Sequence, residues 1–94
     1  MPLPRTTIRR RLRWDETDAA VRWHYSTMFR WAEQAEAELH RELGIVGETF
    51  GSTPRVAVDG TFAAPVLFDQ EVEVDFGVAA VGTTSVTYDF RVHF

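Results

Sequence analysis

The sequence predicts an α+β domain in which one long helix packs on one face of an antiparallel sheet. Three observations carry that expectation. Residues 6–14 alternate in polarity as a half-buried strand does, and residues 26–43 repeat their apolar positions with the period of a helix. Near the end, residues 71–81 and 84–94 alternate again on either side of a Gly-Thr turn, the pattern of a hairpin. An order of strand, helix and then strands joined by short turns segregates the helix to one side of the sheet.

At 94 residues the chain makes a single domain, residues 1–94, which buries about 65% of the surface its unfolded form exposes. Hydrophobic residues make up 45%, enough for one core, yet no apolar run approaches the roughly 18 residues of a membrane span. The N-terminal stretch has arginines but no apolar region behind them, so it does not read as a signal peptide. Without cysteine there is no disulfide and no thiol nucleophile, and a cytoplasmic location is the expectation. The net charge of −4 divides unevenly, +5 on the first fourteen residues and −9 on the rest. A basic end on an acidic body argues against nucleic acid as a general partner but leaves room for a small polyanion.

Taken in order, residues 6–14 place Thr6, Ile8, Arg10, Leu12 and Trp14 on one face and Thr7, Arg9, Arg11 and Arg13 on the other. A face of three arginines is solvated by default; given an anionic ligand, Arg9, Arg11 and Arg13 are the densest positive field in the chain. The acids Asp15, Glu16 and Asp18 follow beside Trp14, so at least one carboxylate is expected to be partly desolvated next to a helix N-terminus. Carboxylate and helix dipole together suggest acyl chemistry. The helix carries Met28, Ala32, Ala35, Leu39 and Leu43 on one stripe, flanked by Trp31 and Glu36. Ser26 or Thr27 is the expected N-cap and Gly44 the left-handed terminator of roughly 17 residues, about 26 Å.

Residues 45–54 are rich in turn formers and read as a loop. Residues 55–64 read as a strand through Val56 and Val58, with a bulge at Gly60 and an end at Pro65. Phe68, Asp69 and Gln70 form a turn before the hairpin, whose connection is a tight turn at Gly82 and Thr83.

Other chemistries fail on spacing. Asp15, Thr17 and Ala19 lack the glycine and closing glutamate of a calcium loop, and His24, His40 and His93 lack zinc spacing. There is no G-x-S-x-G elbow and no phosphate-binding lysine loop, so neither a metal nor a nucleotide cofactor is expected.

Residues 16–33 carry a resemblance. The run D-A-A at Asp18, Ala19 and Ala20, then Tyr25, then F-R-W-x-E at Phe29, Arg30, Trp31 and Glu33, resembles the 4-hydroxybenzoyl-CoA thioesterase-like branch of the hotdog acyl-CoA thioesterases. So do E-L-x-R-E-L-G at residues 38–44, the P-x-x-F segment from Pro65, and G-x-x-S-V-T at residues 82–87. The resemblance implies a hotdog fold, an acyl-CoA substrate, and a homodimer or dimer of dimers with sites at the subunit interface. It implies that Asp18 acts on the thioester carbonyl as base or nucleophile and that the Tyr25 N–H polarises the carbonyl oxygen. His24 takes a supporting acid–base role, Glu33 lies near the interface, and Arg9, Arg11 and Arg13 are candidates for the CoA phosphates. Residue 94 falls within an alternating apolar run, and the family domain has one more strand, so an intact version is expected to continue. The chain departs from the pattern at Val21-Arg22, where the family has Gly-Ile, at Thr27 in place of Asn, and at Asp69-Gln70 in place of Gly-Asp. The Val21-Arg22 departure favours the alternative, a non-catalytic hotdog module that binds an acyl chain or a protein partner.

Overall fold

Alternation along the first strand produces β1 (Arg5–Arg11), which is followed by a 3-10 turn (Trp14–Glu16) and the long helix α1 (Tyr25–Leu43). A one-turn helix α2 (Val46–Thr49) comes next, then strands β2 (Glu71–Val81) and β3 (Val86–His93). The computed structural model describes residues 3–49 and 55–94. The three strands form one antiparallel sheet in the order β1-β2-β3. Ile8 is registered opposite Val74, and Phe76 opposite Phe90.

This register sets every second residue against α1. Leu12, Val72, Val74 and Phe76 from the sheet close on Met28, Trp31, Ala32, Ala35 and Leu39 of the helix, all buried. Each large apolar side chain removed from water in this way contributes about 1.5–3 kcal/mol, so the stripe and the strand faces hold the two layers together. Gly44, at φ 72°, lets the chain turn out of the helix while its N–H bonds the Arg41 carbonyl at 3.1 Å.

Several sequence expectations need correction. Leu43 is the last residue of the helix and is 46% exposed, so the buried part of the stripe ends at Leu39. Trp14 leaves the inward face of β1 at the 3-10 turn and sits 65% exposed against Phe68, its ring centroid 5.4 Å away. The helix is capped by neither Ser26 nor Thr27: His24 is the N-cap, its Nδ1 accepting the Ser26 N–H at 3.2 Å. The hairpin turn sits one residue later than expected, at Thr83 and Thr84, closed by the Gly82 N–H on the Ser85 carbonyl at 2.8 Å.

The largest difference is at residues 55–64, which form no strand. Alternation makes a strand only where a sheet edge accepts it, and Val56 here is 94% exposed. Gly60 is a point of close approach and not a bulge: a Cβ there would collide with the Met28 side chain as the segment crosses the helix. Within the expected loop at residues 45–54, residues 46–49 form α2, while 50–54 lie outside the described residues.

Candidate active site

The acidic loop is locked to the helix by its middle acid. Glu16 is buried; its Oε1 accepts the Arg13 N–H at 2.9 Å and its Oε2 accepts the Trp31 indole N–H at 3.3 Å. The Glu16 carbonyl accepts the Thr27 hydroxyl and the His24 N–H, each at 2.9 Å. Glu16, then, is the desolvated carboxylate that the sequence required of this loop, and Asp18 is exposed.

Asp18 organises the tight turn that follows. Its Oδ1 accepts the Ala20 N–H at 2.8 Å and lies 3.4 Å from the Arg22 nitrogen, while its carbonyl takes the Val21 N–H at 3.1 Å. These bonds hold Val21 at φ 61°, a left-handed conformation that costs a β-branched residue on the order of 1–3 kcal/mol. A valine therefore holds this turn under strain where the resemblance has a glycine. The Phe68 N–H on the Val21 carbonyl at 3.2 Å and the Trp23 N–H on the Val66 carbonyl at 2.8 Å secure the loop from the other side. The Asp18 Oδ2 makes no hydrogen bond among the described residues.

Tyr25 is the first residue of α1, and its ring lies over that of His24 with centroids 4.4 Å apart. The Ser26 and Thr27 amides are satisfied by the His24 side chain and carbonyl, which leaves the Tyr25 N–H without an acceptor among the described residues. Because Nδ1 of His24 accepts, its neutral ring carries the proton on Nε2. An unpaired N–H at the positive end of a 19-residue helix thus stands beside the His24 imidazole, seven residues along the chain from the exposed Asp18 carboxylate.

Arg9, Arg11 and Arg13 are not a free positive field. Arg9 Nε lies 3.8 Å from Glu73, Arg11 lies 3.4 Å from Glu71, and Arg13 meets both oxygens of Asp15 at 3.1 Å. Among the described residues Arg22, Arg30 and Arg91 make no ion pair, and Arg22 lines a cleft of about 240 Å³ with Trp23, Phe62 and Pro65.

Glu33 lines a different and larger groove, about 930 Å³, between α1, residues 55–59 and β3. Asp18, His24 and Tyr25 do not line that groove. Within it the buried Glu36 pairs with Arg55, and the Tyr88 hydroxyl is hydrogen-bonded with His40 Nε2 at 2.8 Å. Burial, and then the Glu36 charge, raise the Tyr88 phenol above its ordinary pKa, with Arg55 opposing. The sequence signal for this cluster was an acid, Glu36, standing beside the apolar stripe. The signal for Glu16 was weaker, an acid three residues beyond a turn start.

On the opposite sheet face Asp75 accepts from Thr7 at 2.6 Å and pairs with His93 at 3.0 Å. The Thr7 hydroxyl, and then His93, hold the Asp75 carboxyl below its usual range against some desolvation; the Phe94 carbonyl, and then Asp75, raise the His93 imidazole. With Glu73 these residues form a cross-strand group of potential ligands. Each already has a protein partner, and the group lies away from the loop face.

No family model matches the chain, and no curated protein sequence matches it. Solved structures do. A hypothetical protein from Thermus thermophilus superposes with a TM-score of 0.85 at 25% identity, over 95% of this chain and 71% of that one. A gentisyl-coenzyme A thioesterase follows at 0.82 and 23%, over 93% and 75%, and a candidate thioesterase from Pseudomonas aeruginosa at 0.76 and 26%, over 97% and 69%. The fold is that of the hotdog thioesterases. One long helix on an open antiparallel sheet is the hotdog arrangement the sequence resemblance implied. No helix among the described residues is long and apolar enough to cross a membrane.

Proposed function

We propose that the chain hydrolyses an acyl-CoA thioester to a carboxylic acid and CoA. The observation that supports this best is the unpaired N–H of Tyr25 at the start of α1, seven residues along the chain from the exposed Asp18 carboxylate, on the fold of the hotdog thioesterases. Acting as base, Asp18 takes a proton from water as the water oxygen adds to the thioester carbonyl; acting as nucleophile, it adds directly and water cleaves the resulting anhydride. In either case the Tyr25 N–H stabilises the oxyanion. The C–S bond then breaks, and the thiolate takes a proton, which in this reading the Nε2–H of His24 supplies. A thioester is activated already, so this small set of groups is chemically sufficient.

Arg9, Arg11 and Arg13 contribute to binding the CoA phosphates by exchanging exposed carboxylate partners for phosphate, an exchange that costs little because such surface pairs are worth about 0–1 kcal/mol. Glu33 belongs to the wall that a second subunit covers. We take the assembly to be a homodimer, or a dimer of dimers, since the exposed Val56, Val58 and Phe62 form an apolar rim. Light scattering reporting a monomer at micromolar concentration would remove this part of the reading. The alternative, a non-catalytic binding module, draws its support from Val21-Arg22. Arg22 is exposed, though, and does not line the large groove.

The test is release of free thiol from acetyl-, hexanoyl- and benzoyl-CoA. At least one is expected to be hydrolysed with kcat/KM near or above the lower end of the usual enzyme range, about 10⁴ M⁻¹s⁻¹. Its KM should rise with salt as the phosphate contacts are screened. No turnover on any of the three would leave the binding module as the surviving description.

A further inference from the structure

Glu16 is buried, and it bonds both to the start of the Asp18 loop and to the first two turns of the helix and its cap. Its two carboxylate oxygens accept from Arg13, where the loop begins, and from Trp31, in the second turn of α1. Its carbonyl accepts from His24, the residue immediately before Tyr25, and from the Thr27 hydroxyl in the first turn. Immediately after it, Thr17 bridges to Trp23, so that residues 17–23 form a closed loop hinged between Glu16 and His24. The loop has little latitude apart from that hinge, because the Asp18 caps fix its interior.

We propose that Glu16 is a positioning residue, holding the Asp18 carboxylate and the Tyr25 N–H in one fixed relation. The proposal rests on the thioesterase reading for its catalytic consequence, though not for its structural one. The chemistry of the site explains why the residue is an acid. Two N–H donors arrive on separate oxygens, and only an ionised carboxylate offers acceptors on both. A glutamine in its place has one acceptor oxygen and presents an NH₂ to a second donor, so either the Arg13 amide or the Trp31 indole loses its partner. An apolar residue would lose both.

The experiment compares Glu16→Gln, Trp31→Phe and the double variant in the full chain, with two readouts. In kinetics on the best acyl-CoA of the panel, Glu16→Gln is expected to lower kcat about tenfold with KM changed less than about twofold, the signature of misplaced reacting groups and not of lost binding. Trp31→Phe removes the donor to Oε2. Adding Glu16→Gln to it should cost less than the same change in the parent, because both substitutions break one shared bond. In amide hydrogen exchange, Glu16→Gln should speed exchange at Arg13 and His24 by about tenfold while Val74, in the centre of the sheet, keeps its protection.

Unchanged exchange at Arg13 and His24, or parental kcat and KM, overturns the proposal. Equal acceleration at Val74 overturns it as well, since Glu16 would then serve overall stability alone. If the parent hydrolyses no thioester the thioesterase reading falls, and the exchange measurement by itself decides whether Glu16 fixes the loop.

Discussion

Asp18→Asn is expected to lower kcat on an acyl-CoA thioester by about a hundredfold or more while leaving KM and the melting temperature nearly unchanged. The structure makes this substitution unusually clean. Asp18 does two jobs: its Oδ1 caps the Ala20 and Arg22 amides, and its Oδ2 is open. Asparagine keeps a carbonyl oxygen of the same reach for the cap, so the strained Val21 turn survives, and what disappears is the charge able to accept a proton from water or attack a carbonyl. Alanine would remove the cap too and confound the loss of charge with a collapse of the loop. Thiol release at saturating substrate, beside a thermal melt of both proteins, measures the two quantities. A variant as fast as the parent would reduce Asp18 to a turn-capping residue, the ordinary role of an aspartate in such a loop.

What the sequence made legible follows from which interactions are periodic. The apolar stripe of α1 and the alternation of β1, β2 and β3 repeat at fixed spacing, and those elements appear within a few residues of their expected bounds. Residues 55–64 alternate too, yet they form no strand, because strand formation depends on an available edge, which local pattern does not encode. At the candidate site the helix begins at Tyr25, directly after His24, while Asp18 lies in the loop seven residues earlier. The sequence did not distinguish among three neighbouring acids. Which of them is buried depends on where the Trp31 indole N–H points, and Trp31 is fifteen residues away from Glu16. The same limit applies to the arginines. Arg9 and Arg11 share a face of β1 as alternation requires, while Arg13 lies beyond the strand's end, and the acidic partners of the first two come from β2 across the sheet, Glu73 and Glu71. His24 was read for acid–base chemistry when its position immediately before the helix also made it the cap, a role more often filled by Ser, Thr, Asp or Asn.

The largest expected effect on stability belongs to Trp31→Ala. Trp31 is fully buried between the sheet and the acidic loop, its rings 5.7 Å from those of Trp23, and its indole N–H is the donor to Glu16. Truncation removes a large apolar surface from the centre of the core, opens a cavity that the facing strands cannot close, and leaves a buried carboxylate short of one donor. The first two effects alone put the loss at about 3–5 kcal/mol. Against the 5–15 kcal/mol that holds a domain of ordinary stability, such a loss brings the folded state close to its limit. Urea unfolding followed by far-UV circular dichroism gives the value from the shift in midpoint, provided the slope is unchanged. Leu43→Ala is the matched control: the residue continues the same helical stripe but is 46% exposed, and its loss should fall within about 0.5 kcal/mol of the parent. If the two substitutions cost the same, the helix does not pack on the sheet through the face that Trp31 occupies. If Trp31→Ala costs several kcal/mol and Leu43→Ala almost nothing, the boundary of the core lies between the middle of α1 and its last residue.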